Sequence, residues 1–85
     1  MMILTVAEIR KALDELYAFS DARPTDTDAI ASAIERATNL QAACEEGSMD
    51  GAEADTSMYG IMGAGASGVR QRLQNRLDRL ENEDA

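Results

Sequence analysis

A chain of 85 residues with a formal net charge of −8, one cysteine and no histidine excludes several classes at once. At this length it is one domain with a thin core, since such a chain buries only about 60% of the surface its unfolded form exposes. The charge disfavours direct binding to nucleic acid or to an anionic membrane, which both draw on Lys and Arg, while it permits a basic protein partner.

Cys44 stands alone, so no internal disulfide forms, and without histidine it is no zinc site. With no such staple, stability is expected to come from association with further copies. No segment approaches the ~20 apolar residues of a membrane span. Met1–Ile9 lacks a basic leader and meets Glu8 early. A cytoplasmic setting is expected, in keeping with an unpaired thiol.

The fold class read from the pattern is all-α, a bundle of three helices at roughly 5–21, 26–46 and 56–82. The first opens on Leu4-Thr5-Val6-Ala7-Glu8-Ile9. Thr5 is placed to cap, Glu8 to reach back to the cap amide, and Leu4 and Ile9 to form a hydrophobic staple. Val6, Ile9, Leu13, Leu16 and Tyr17 recur at helical spacing on one face. Pro24 biases Arg23 away from helical angles and ends the element near Ser20–Ala22.

The second helix is capped by Thr25 or Thr27, with Asp26 and Asp28 in its first turn where the dipole favours negative charge. Ile30, Ala33, Ile34, Ala37, Leu40 and Cys44 line its apolar face. Cys44 reads as a small buried residue, because Glu45 and Glu46 raise a thiol pKa rather than lower it. Gly47 is a reasonable helix stop. Residues 47–55 then form an acidic linker whose ligand register does not match a calcium loop.

The third element begins near Asp55–Ser57 and contains the most unusual stretch of the chain, Met58–Val69, with Gly60, Gly63, Gly65 and Gly68 among Met, Ile and Ala. As a loop opening a helix it would present amides to a small anion at Gly65, Ser67, Gly68 and Arg70. The Lys and Ser/Thr of a phosphate loop are absent, and so is a preceding strand. As a continuous helix it carries about 4 kcal/mol of glycine cost. Residues between the glycines are helix-compatible rather than turn-forming, which favours the helix.

Met62, Ala66, Val69, Leu73, Leu77 and Leu80 then form a stripe about 80° wide, flanked by Arg72, Arg76 and Arg79. Gly60, Ala64 and Gly68 form a small-residue groove roughly opposite, of the kind that lets helices approach closely. The tail 82–85 is acidic at the unfavourable helix end and is expected to fray.

Functional expectations follow from what is present and what is missing. Without histidine, and with no nucleophile beside a base in sequence, an enzyme is not expected, nor a cofactor or metal. The leading reading is a non-catalytic helical interaction protein, an adaptor, assembly chaperone or inhibitor, that forms a homo-oligomer and binds a protein partner. Its expected interface is Met58, Tyr59, Gly60, Ile61, Met62, Ala64, Gly68, Val69, Leu73, Arg76, Leu77 and Leu80.

One alternative is an acidic inhibitor of phage type. Residues 1–69 hold 12 acids and 4 bases, net −8, and a face with Asp26, Asp28 and Glu35 would block a basic nucleic-acid-binding surface. A second is an oligomeric sponge for an anionic small ligand at the glycine stretch.

Overall fold

A computed structural model describes residues 4–50 and 56–84 as three helices, α1 (Val6–Asp21), α2 (Thr27–Asp50) and α3 (Thr56–Asp84). The helices pack on one another in an elongated bundle of 49 × 19 × 18 Å. Contact is most extensive between α2 and α3, less between α1 and α3, and least between α1 and α2. Among the described residues no helix is long and apolar enough to cross a membrane.

The α1 start is as expected. Thr5 Oγ1 accepts from the Glu8 amide at 3.2 Å, and the Glu8 carboxylate accepts from the Thr5 amide at 2.9 Å. These bonds to Thr5 hold the Glu8 carboxyl below its usual pKa, with the bond from the backbone amide as the larger cause. A carboxylate whose pKa is depressed by folding contributes stability that is full above its unfolded pKa and is lost as pH falls through the folded value. A Glu8→Ala variant should therefore be less stable than wild type at neutral pH, and the gap should close below the ordinary carboxylate range. Carboxyl titration by NMR checks the shift directly; an ordinary midpoint for Glu8 would refute it.

At the first turn, α1 ends with the Ala22 amide bonded to the Ala18 carbonyl, and Arg23 follows at φ 53. The α2 cap differs from expectation. Asp26, not Thr25 or Thr27, accepts from the amides of Asp28 and Ala29 at 3.0 and 3.3 Å. Its own carbonyl takes the first helical bond from the Ile30 amide. All three residues are good cap formers; the register that buries Ile30 selects Asp26.

The end of α2 is a correction. Gly47 does not stop the helix, which continues to Asp50, so the linker is shorter than 47–55, and 51–55 lie outside the described residues. Gly47 is buried against the Tyr59 ring. A Cβ built there would fall 2.6 Å from Cδ1 and 2.9 Å from Cζ. This glycine exists for close approach, not termination.

The helical form of the glycine stretch holds: α3 is unbroken over 29 residues, about 44 Å. Residues 82–84 continue the helix, and Ala85 lies outside the described residues.

The three apolar faces converge. Ile9 and Leu16 from α1, Ile30, Ala33, Ala37, Leu40 and Cys44 from α2, and Tyr59, Met62, Ala66, Val69 and Leu73 from α3 are all buried. The alanines of α2 and the glycines of α3 let the backbones come close. A Cβ on Gly63 would meet Cys44 Cβ at 3.4 Å, and one on Gly65 would meet Leu13 Cδ2 at 3.1 Å. Two tyrosines add long-range polar ties. Tyr17 donates to the Gly65 carbonyl at 3.2 Å and Tyr59 to the Leu4 carbonyl at 3.3 Å.

Candidate interaction surfaces

Helical geometry divides the expected α3 interface in two. Tyr59, Met62, Val69 and Leu73 are buried inside the single chain, so the narrow apolar seam is the inner face of the bundle rather than a surface for another subunit. Leu77, Leu80 and Met58 are half-buried against that same core. Arg76 is half-buried and turned to the first connection. The seam resembled an intermolecular contact because a stripe about 80° wide is narrow for a globular core. It suffices here because α2, the neighbour with the larger contact, brings mostly small side chains, Ala33, Ala37 and Cys44, while α1 brings the larger Ile9 and Leu16.

What remains outward is Gly60, Ile61, Ala64 and Gly68, all exposed on the side of α3 away from the core. Ile61 is 65% exposed, the one large apolar side chain so exposed among the described residues. Among the described residues nothing lies within 4 Å of a Cβ built on Gly60 or Gly68. The stripe borders an open groove of about 590 Å³ between α2 and α3, lined by Gln41, Cys44, Glu45, Tyr59, Gly63 and Ser67 together with Gly60 and Ala64. Cys44 forms part of this wall while its side chain stays buried. Burial, and secondarily the Glu45 charge, push its thiol pKa up, so it is a packing residue rather than a nucleophile.

The other expected residues are dispersed. Gly65, Ser67, Gly68 and Arg70 lie in the interior of α3, where backbone amides are taken by carbonyls one turn back. The open amide cradle that the loop form requires is therefore not formed. Gly65 faces α1, Gly68 faces open space, and the Arg70 Nε is buried without a partner. On α2, Asp28 and Glu35 are exposed seven residues apart and share a face. Asp26, also exposed, has its carboxylate engaged by the helix amides.

One grouping was missed by sequence reasoning. Helical spacing places Arg72, Arg76 and Arg79 only along the flank of the seam. The fold brings Arg23 beside them, and with Ser20, Asp21 and Asn75 they line a cleft of about 640 Å³. Arg72 donates to Asp21 at 2.8 Å and lies 5.9 Å from the centre of the Tyr17 ring. Arg76 donates to the carbonyls of Pro24 and Arg23 at 2.9 and 3.3 Å. The available signal was an arginine stripe on one helix face and a fourth arginine in the only proline-bearing turn; only tertiary contact joins them. No family model matches the chain, and neither a curated protein nor a solved structure matches it.

Proposed function

We propose that this chain is a non-catalytic helical interaction protein of the cytoplasm that self-associates through the outer face of α3 and acts in that form on a protein partner. One observation carries the reading. Gly60 and Gly68 lie in a helix, each costing about 1 kcal/mol relative to alanine, yet among the described residues nothing within 4 Å requires their smallness. Gly47 and Gly65 each have a neighbour that does, and a Cβ on Gly63 would sit at contact distance from Cys44. Beside the two open glycines stand Ala64 and the exposed Ile61. A second helix packed across this stripe would use the glycines and cover the isoleucine. A second copy of the same face fits, because the stripe is small-sided and uncharged and so opposes no like charge.

The acidic-inhibitor alternative draws on fewer groups than its residues imply, since Asp26 is spent on the α2 cap.

Replacing Gly60 and Gly68 together by leucine separates fold from association. Leucine is a good helix former, so the melting temperature of the monomer should hold or rise. The same side chains would hold a second helix away. Sedimentation equilibrium should show wild type associating at micromolar concentration and the double variant monomeric. A monomeric wild type, or a variant that assembles as well as wild type, would sink the reading.

A further inference from the structure

The arginine cleft is the second surface, and it lies apart from the α3 outer stripe. We propose that the cleft between the α1–α2 turn and the C-terminal part of α3 is a binding site for a compact di- or triphosphate group. Four of the eight basic residues of the chain line it, against one acid, Asp21. The lining therefore sums to 4 − 1 = +3, and the remainder of the chain to −8 − 3 = −11. So strong a separation of sign in a short acidic chain raises the local concentration of a small anion. It also selects for compactness. The acidic flanks repel an extended polyanion, while a ligand held inside the cleft is shielded from distant charge beyond a Debye length of about 8 Å at physiological salt.

The cleft is built, not merely charged. Arg76 is fixed by the Pro24 and Arg23 carbonyls, and Arg72 by Asp21 below and the Tyr17 ring beside it. The Arg76 guanidinium is thereby ordered before any ligand arrives, which lowers the entropy cost of binding, while Arg72 is oriented by a solvent-exposed pair. Arg23 and Arg79 have no carboxylate within ion-pair distance among the described residues, and their forks are open for phosphate oxygens. Arg23 takes a left-handed backbone angle, φ 53, where glycine or asparagine would be at ease. Of the nearby acids, Asp26 is engaged by amides and Glu83 is exposed one turn beyond Arg79 on α3. Asp21 is the carboxylate at the cleft itself, and it is paired.

The test is calorimetric titration of the full chain at physiological salt, where the screening argument holds, with pyrophosphate, tripolyphosphate, ATP and citrate, alongside thermal melts. Pyrophosphate or tripolyphosphate should bind and raise the melting temperature. Arg23→Asn and Arg79→Gln remove charge without removing a structural hydrogen bond, and each should weaken binding about tenfold, the scale of one lost charged contact. Arg10→Gln, the same charge change on the exposed side of α1, should alter affinity less than about twofold. ATP binding equal to tripolyphosphate assigns the site to the phosphate chain itself, and markedly tighter ATP binding assigns it to a nucleotide. No binding by any of the phosphates, equal losses in all three variants, or citrate binding more tightly than pyrophosphate would each overturn the proposal.

Discussion

Gly47→Ala should destabilise this protein, although the same change in most helices stabilises it. Glycine inside a helix costs about 1 kcal/mol relative to alanine, and α2 runs straight through this position. The added methyl, however, lands on Tyr59, 2.6 Å from Cδ1. That ring has little freedom to yield. It is 3% exposed, and its hydroxyl is held by the Leu4 carbonyl. Overpacking of this kind costs about 1–3 kcal/mol and outweighs the propensity gain. At this chain length each kcal/mol lowers the melting temperature by about 4–8 °C. The cause is identified by a double-mutant cycle with Tyr59→Ala. In that background the clash is gone, and Gly47→Ala should become neutral or stabilising. If the substitution costs the same with and without the ring, the contact is not what requires the glycine.

Leu73→Ala is expected to give the largest loss of a single-residue change on α3. Leu73 is 1% exposed and sits in the buried cluster with Val69 and Ala66. Truncating a leucine in such a place costs about 2–5 kcal/mol, from lost burial and from the cavity left behind. The loss should be the same at low and high protein concentration, because the partners of Leu73 belong to the same chain. Melts of wild type and variant across a wide concentration range decide this. A penalty that grows with concentration would mean that the seam is shared between subunits after all.

The contrast between those two residues shows where sequence reading succeeds. Leu73 could be placed on a stripe because helical periodicity is a local property, and the apolar faces of all three helices follow from spacing alone. The Thr5–Glu8 box is also local. Periodicity does not say which helix covers the stripe, and so the same residues read as core or as interface. Glycine is harder still. Gly47 as a stop and Gly47 as a contact point leave the same mark in sequence, and only the arrival of Tyr59, from another helix, separates them. Gly60, Gly63, Gly65 and Gly68 look alike in the chain. The fold sets Gly63 against α2 and Gly65 against α1 and leaves the other two open. The arginine cleft depends on Arg23 meeting residues about fifty positions later, which no window on the sequence spans.

The polar ties of α1 and its turn have a further consequence, for the order of synthesis. The partners of Leu4, Tyr17, Asp21 and Pro24 lie 55, 48, 51 and 52 residues further on. Domains form as chains emerge from the N-terminus, and long-range contacts must wait for their second half. Translation thus delivers α1 first, with the stripe of Ile9, Leu13 and Leu16 uncovered, and α2 offers it the smallest of the three helix interfaces. Of the three helices α1 is made before the others, and its polar ties close only once α3, as far as the turn that carries Arg76, has been made.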